Sequence, residues 1–167
     1  MAVIKTVEKQ LDEIFVKNAP KLPEGGKKWL VKYLPWITLI LGILSLLAAI
    51  NTWRWANASV QLIDAANQLA QTYGIDTDLN RLTVWIWISL IILTIQALLY
   101  IFAFSPLKNL KKSGWNLVFY VALINIIYAV VLLFSDYGGV GSFIFSMIGS
   151  AVGLYLLFQI RSHYKKD

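Results

Sequence analysis

The chain has 167 residues, 58% of them hydrophobic and 14% charged, with a net charge of +6 at neutral pH. With a mean hydropathy of +0.64, this composition excludes an ordinary soluble domain and leaves room for about four membrane spans. Cysteine is absent and the one histidine, His163, follows the last apolar run, which removes disulfides, thiolate chemistry and cysteine metal sites.

Residues 2–18 (AVIKTVEKQLDEIFVKN) read as an amphipathic helix, with Val3, Ile4, Val7, Leu11, Ile14 and Phe15 on one face. Its charges balance, Lys5, Lys9 and Lys17 against Glu8, Asp12 and Glu13. It is expected to lie along the membrane or on the base of a bundle. Ile4, Val7, Leu11 and Ile14 also fit two heptads, which keeps a partner or self-association helix open. Pro20, Pro23, Gly25 and Gly26 predict a break and a linker, so residues 1–26 form a first segment and 27–167 a transmembrane domain.

The first span is predicted over about 34–52, with Pro35 in its first turn and Trp29, Tyr33 and Trp36 as an aromatic belt. The length of the preceding segment argues for an uncleaved span rather than a signal peptide. Trp53 and Trp55 mark the far interface. A second amphipathic helix follows over 57–73, and Gly74 is placed to cap it. The Asn57-Ala58-Ser59 sequon beside it matters only in a eukaryotic secretory host.

Spans two to four are predicted over about 83–104, 115–134 and 140–160. Ser105-Pro106 is expected to stop the second, and Asp136-Tyr137-Gly138-Gly139 to turn the third into the fourth. The stretch Tyr137 to Gly141 superficially resembles a potassium-filter loop. The few residues between Phe134 and Val140 leave no room for a re-entrant loop.

Basic residues flank the apolar runs and form no separate basic domain, which points to lipid and not to nucleic acid. Seven lysines precede the first span, three sit between spans two and three, and Arg161, Lys165 and Lys166 close the chain. Arg54 and Arg81 alone fall on the other side. This asymmetry predicts both termini in the cytoplasm. Lys27-Lys28-Trp29 and Lys111-Lys112-Ser113-Gly114-Trp115 also suggest a faint parallel repeat of two hairpins.

Small residues run down the fourth span at Ser142, Ser146, Gly149 and Gly153. Such residues let helix backbones approach closely in lipid. Gly42, Ser45 and Ala49 on the first span offer a matching groove, and a homodimer interface is the other reading. Gln96 and Asn125 are the deepest polar side chains. At 1.5 Å per residue they lie ~12 Å from Phe104 and ~15 Å from Trp115, depths at which they can hydrogen-bond.

No Asp, Glu, Lys, Arg or His falls inside a predicted span. Proton relays, ion-coupled transport and voltage sensing normally need one, and small multidrug-resistance transporters carry a carboxylate in their first span. No phosphate loop, zinc motif or nucleophile elbow is present, so no enzyme and no cofactor are expected.

KKSGWNLVFY, YGGVGSFI and IGSAVGLYLLFQIRSHY resemble the C-terminal half of a family of small, uncharacterised bacterial four-span proteins. The resemblance implies an inner-membrane location and no activity. The expected fold is an all-α integral membrane four-helix bundle with a cytoplasmic N-terminal amphipathic helix and an extracytoplasmic one between spans one and two. The expected role is structural or accessory, through helix contacts with itself or a membrane-protein partner. The alternative is a channel or transporter for a neutral solute.

Overall fold

The computed structural model describes residues 2–74, 80–135 and 138–165. Among these residues every regular element is helical and no strand forms. The elements are α1 (Ala2–Asp12), which continues as a π-helical turn (Glu13–Lys17), then α2 (Glu24–Thr72), α3 (Asn80–Lys108), α4 (Lys112–Leu133) and α5 (Val140–Gln159), closed by a 3₁₀ turn (Arg161–His163). Four helices are long and apolar enough to cross a membrane; each overlaps one of the predicted spans, with α4 ending at Leu133 and α5 at Gln159, one residue short of the predicted ends. Asp136, Tyr137 and Lys166 lie outside the described residues.

α2 is longer than the sequence reading allowed. It takes in Gly25 and Gly26, so the linker shortens to Asn18–Pro23, and its 49 residues join the first span to the following amphipathic stretch. Residues 53–73 contain no glycine or proline, so nothing local stops the helix where the composition changes. It ends where expected, with Gly74 in the left-handed region at φ 67°. Pro35 is therefore an interior residue and cannot donate to the carbonyl one turn back. Thr38, 1% exposed, sends its hydroxyl back to the Pro35 carbonyl at 2.8 Å, a bond that tends to bend helices. Buried positions recur along α2 at Pro35, Gly42, Ala49, Ala56 and Ala70. These intervals are multiples of seven, and the buried residues are small, as a narrow helix-packing seam requires.

The chain divides into two compact units, Met1–Leu39 with Leu99–Asp167, and Ile40–Leu98. In the second, the buried residues are chiefly small: Ala49, Ala56, Ala70 and Ala97, with Ile86 and Gln96. The first holds the large core. Trp115 is fully buried and stacks on Phe119 at 5.3 Å between ring centroids. Phe158 meets both rings edge-on, at 5.2 and 5.7 Å. The indole N–H donates to the Leu157 carbonyl at 2.9 Å, so the polar end of the ring is satisfied inside the core. Ala103, Leu107, Leu154, Leu157, Ile160 and Tyr164 complete the cluster.

α3 passes the expected stop at Ser105-Pro106 and ends at Lys108. Pro106 sits in the last turn, and its own carbonyl accepts from Lys111 N at 2.9 Å. Leu110 adopts φ 54°, an unfavourable left-handed conformation for leucine, held by tertiary bonds. Its carbonyl accepts from Lys165 N at 2.9 Å, and Lys112 N donates to the Lys165 carbonyl at 2.7 Å. α4 then starts against the end of α3. A Cβ on Gly114 would lie 2.5 Å from Leu107 N and 2.9 Å from the Pro106 carbonyl carbon. Glycine is required there by space alone.

Candidate functional site

Two features of the first unit bring polar groups together. One is a groove of about 330 Å³ along the α4–α5 hairpin. Val118, Ala122, Asn125 and Tyr128 line it from α4, and Ser146, Gly149, Ser150, Gly153 and Leu157 from α5. Both sets repeat at three- and four-residue intervals, which places each on one helix face. Tyr100 of α3 contributes at the same groove. Its lining is amide, hydroxyl and apolar, with no ionisable carboxylate or amine. It suits an uncharged occupant that approaches the α5 backbone closely.

Asn125 thus shares a surface with Ser146, Gly149 and Gly153. Ser142 and Ser146 line a smaller adjoining cavity of about 120 Å³. The tight approach expected at Gly149 and Gly153 is absent, because both are exposed and a Cβ on either would meet no atom within 4 Å. The close approaches occur at Gly114 and at Gly138, where a Cβ would overlap the Leu132 carbonyl. Gly42, Ser45, Ala49 and Gln96 belong to the other unit. There Gly42, Ala49 and Gln96 are buried and Ser45 is half-buried.

The second feature clamps the N-terminal helix onto the ends of α4 and α5. Val7, Leu11, Phe15 and Val16 pack against the large core, and Phe15 meets Phe158 at 6.2 Å. Ile4 and Ile14 of the expected face are exposed instead. Arg161 donates through Nη1 to Asp12 at 2.7 Å and through Nη2 to Glu8. Glu8 also takes Lys112 Nζ at 3.3 Å. The guanidinium lies 5.6 Å from the Trp115 ring centroid and 6.0 Å from that of Phe158, a cation–π arrangement.

Gln159, 5% exposed, holds the turn beyond the helix. Its Nε2 donates to the Phe15 carbonyl at 2.7 Å and the Pro20 carbonyl at 3.4 Å, and its Oε1 accepts from Leu22 N at 3.2 Å. Those backbone groups belong to the π-helical turn and the linker, where helical partners run out. The Tyr155 hydroxyl adds a bond to the Pro20 carbonyl at 2.8 Å. Sequence reasoning treated Gln159 as span interior and Arg161 as a topology charge. An amide and an arginine two positions apart at the end of an apolar run mark polar chemistry there, but nothing in the sequence names their partners.

No family model, curated protein or solved structure matches the chain.

Proposed function

We propose that this chain is a multi-pass membrane protein of structural or accessory type that acts through helix contacts on the α4–α5 face. The observation that carries the reading is the open small-residue face at Gly149 and Gly153, set beside Asn125 in one groove. In lipid, helices associate through close packing and interhelical hydrogen bonds rather than through the hydrophobic effect. A face with small residues, serines and an amide offers both, and the same face on a second copy is its simplest complement.

The chain contains no cysteine, so one introduced at Ser146 is a sole reporter. Ser146→Cys is expected to form disulfide-linked dimers in native-like membranes, and adding Gly149→Leu is expected to abolish them without lowering the melting temperature. A Ser146→Cys chain that stays monomeric at every protein-to-lipid ratio defeats the self-association reading. If Gly149→Leu instead blocks passage of a neutral solute in proteoliposomes, the groove serves transport, a role its Asn125, Tyr100 and Tyr128 lining also suits.

The bacterial inner membrane is the proposed location, with both termini cytoplasmic, on the strength of the basic asymmetry and the family resemblance. Single cysteines at Lys111 and Gln68 are expected to react with membrane-impermeant maleimide from opposite sides, Lys111 from the cytoplasm. Labelling of both from one side overturns that layout.

A further inference from the structure

Beside the N-terminal clamp lies a cavity of about 450 Å³, separate from the α4–α5 groove and lined by four cationic side chains, Lys21, Lys27, Lys112 and Arg161, with Ser162 and Tyr164. They come from the linker, the start of α2, the first residue of α4 and the segment after α5. Asp12 is the one acid in the lining, and it is taken up by Arg161.

The donors exceed the acceptors that face them. A guanidinium carries five N–H donors and an ammonium three. Glu8 and Asp12 occupy one nitrogen each of Arg161, Glu8 takes one contact from Lys112, and Glu24 takes one from Lys27 at 2.9 Å. Lys21 has no ion pair among the described residues. Tyr164 is 6% exposed, and its phenolic oxygen is buried without a hydrogen-bond partner. Burial pushes its pKa up to about 12, so it keeps its proton and remains a donor at physiological pH. The positive end of the α4 dipole falls at Lys112 as well.

We propose that this cavity binds a phosphate group, of the kind carried by the headgroup of an anionic phospholipid. Tetrahedral oxyanions accept several hydrogen bonds at once and are strengthened by cationic donors. Basic pockets at the ends of membrane helices recognise such headgroups.

The test uses the full chain, purified and delipidated in a neutral detergent. Its melting temperature is followed while phosphatidylglycerol, phosphatidylcholine or inorganic phosphate is titrated in. Phosphatidylglycerol is expected to raise it by roughly 3–5 °C and phosphatidylcholine to leave it unchanged. Lys21→Gln with Lys27→Gln should weaken the lipid response roughly thirtyfold, at about a tenfold factor per 1.4 kcal/mol and ~1 kcal/mol per lysine. The lipid-free melting temperature should hold, because the one ion pair removed joins Lys27 to an exposed Glu24. Lys28→Gln with Lys32→Gln changes two exposed lysines outside the cavity and should keep the full response.

A shift produced by inorganic phosphate and lost in the Lys21/Lys27 variant supports the site with a soluble source. Equal shifts from the two lipids overturn the proposal, as does loss of the response in the Lys28/Lys32 variant. Absence of any response to phosphatidylglycerol and to phosphate overturns it too.

Discussion

Trp115→Ala is expected to remove about 3–5 kcal/mol of stability, the largest loss from any single side chain. The ring is fully buried, stacked on Phe119 and crossed by Phe158, so deletion leaves a cavity that two rigid neighbours cannot fill. It also strands the Leu157 carbonyl, which the indole N–H satisfies at 2.9 Å. An orphaned buried acceptor costs about 1–3 kcal/mol. Trp115→Phe separates the two effects, since it keeps most of the volume and loses the donor. Trp29→Ala, at a ring 55% exposed, should change stability by no more than about 0.5 kcal/mol. Unfolding titrations in mixed micelles, followed by circular dichroism, give all three values. Equal losses at Trp115 and Trp29 would show that the aromatic core does not hold the α4–α5 hairpin together.

Arg161→Gln is expected to cost about 2 kcal/mol and to release the N-terminal helix. Removing one partner from a fully buried ion pair costs about 3–5 kcal/mol, whereas exposed pairs contribute at most about 1. Here the side chains of Arg161 and Asp12 are 30% exposed and that of Glu8 15%, which argues for a value between those limits. The variant leaves the Asp12 carboxylate without its cation and Glu8 with Lys112 alone. Adding Glu8→Gln and Asp12→Asn to Arg161→Gln should restore part of the loss, because no unpaired carboxylate remains. Hydrogen exchange reads the release directly, through faster exchange of backbone amides over residues 6–17. Unchanged protection there would mean that Phe15 and Gln159 suffice to hold the helix.

The two variants act on one device. Arg161 lies over the Trp115 and Phe158 rings and grips Glu8 and Asp12, so the clamp is built on the aromatic core. Loss of Trp115 should therefore loosen the N-terminal helix as well, whereas loss of Arg161 should leave the α4–α5 contact intact.

Four apolar helices were legible in the sequence because hydrophobic length is a local property, and each predicted stretch overlaps an observed helix. The end of α2 at Gly74 was legible for the same reason, since a left-handed residue needs no distant partner to favour glycine. The join of the first span to the amphipathic stretch after it was missed. Composition changes near Trp53, but helix propensity does not, and the backbone follows propensity.

What surrounds each helix was decided by tertiary structure. α3, α4 and α5 are apolar on every side, so their periodicity does not say which face meets another helix. Trp115 reads like one more interfacial aromatic at a span entrance, yet it became the centre of the core. Gly114 and Gly149 look alike in sequence, but one sits against the Leu107 backbone and the other faces open space. Arg161 and Gln159 carry no local mark of their partners, Asp12 and Phe15, which lie more than 140 positions away in the chain. Spacing along one helix fixes which residues share a face, and only the packed chain determines what that face meets.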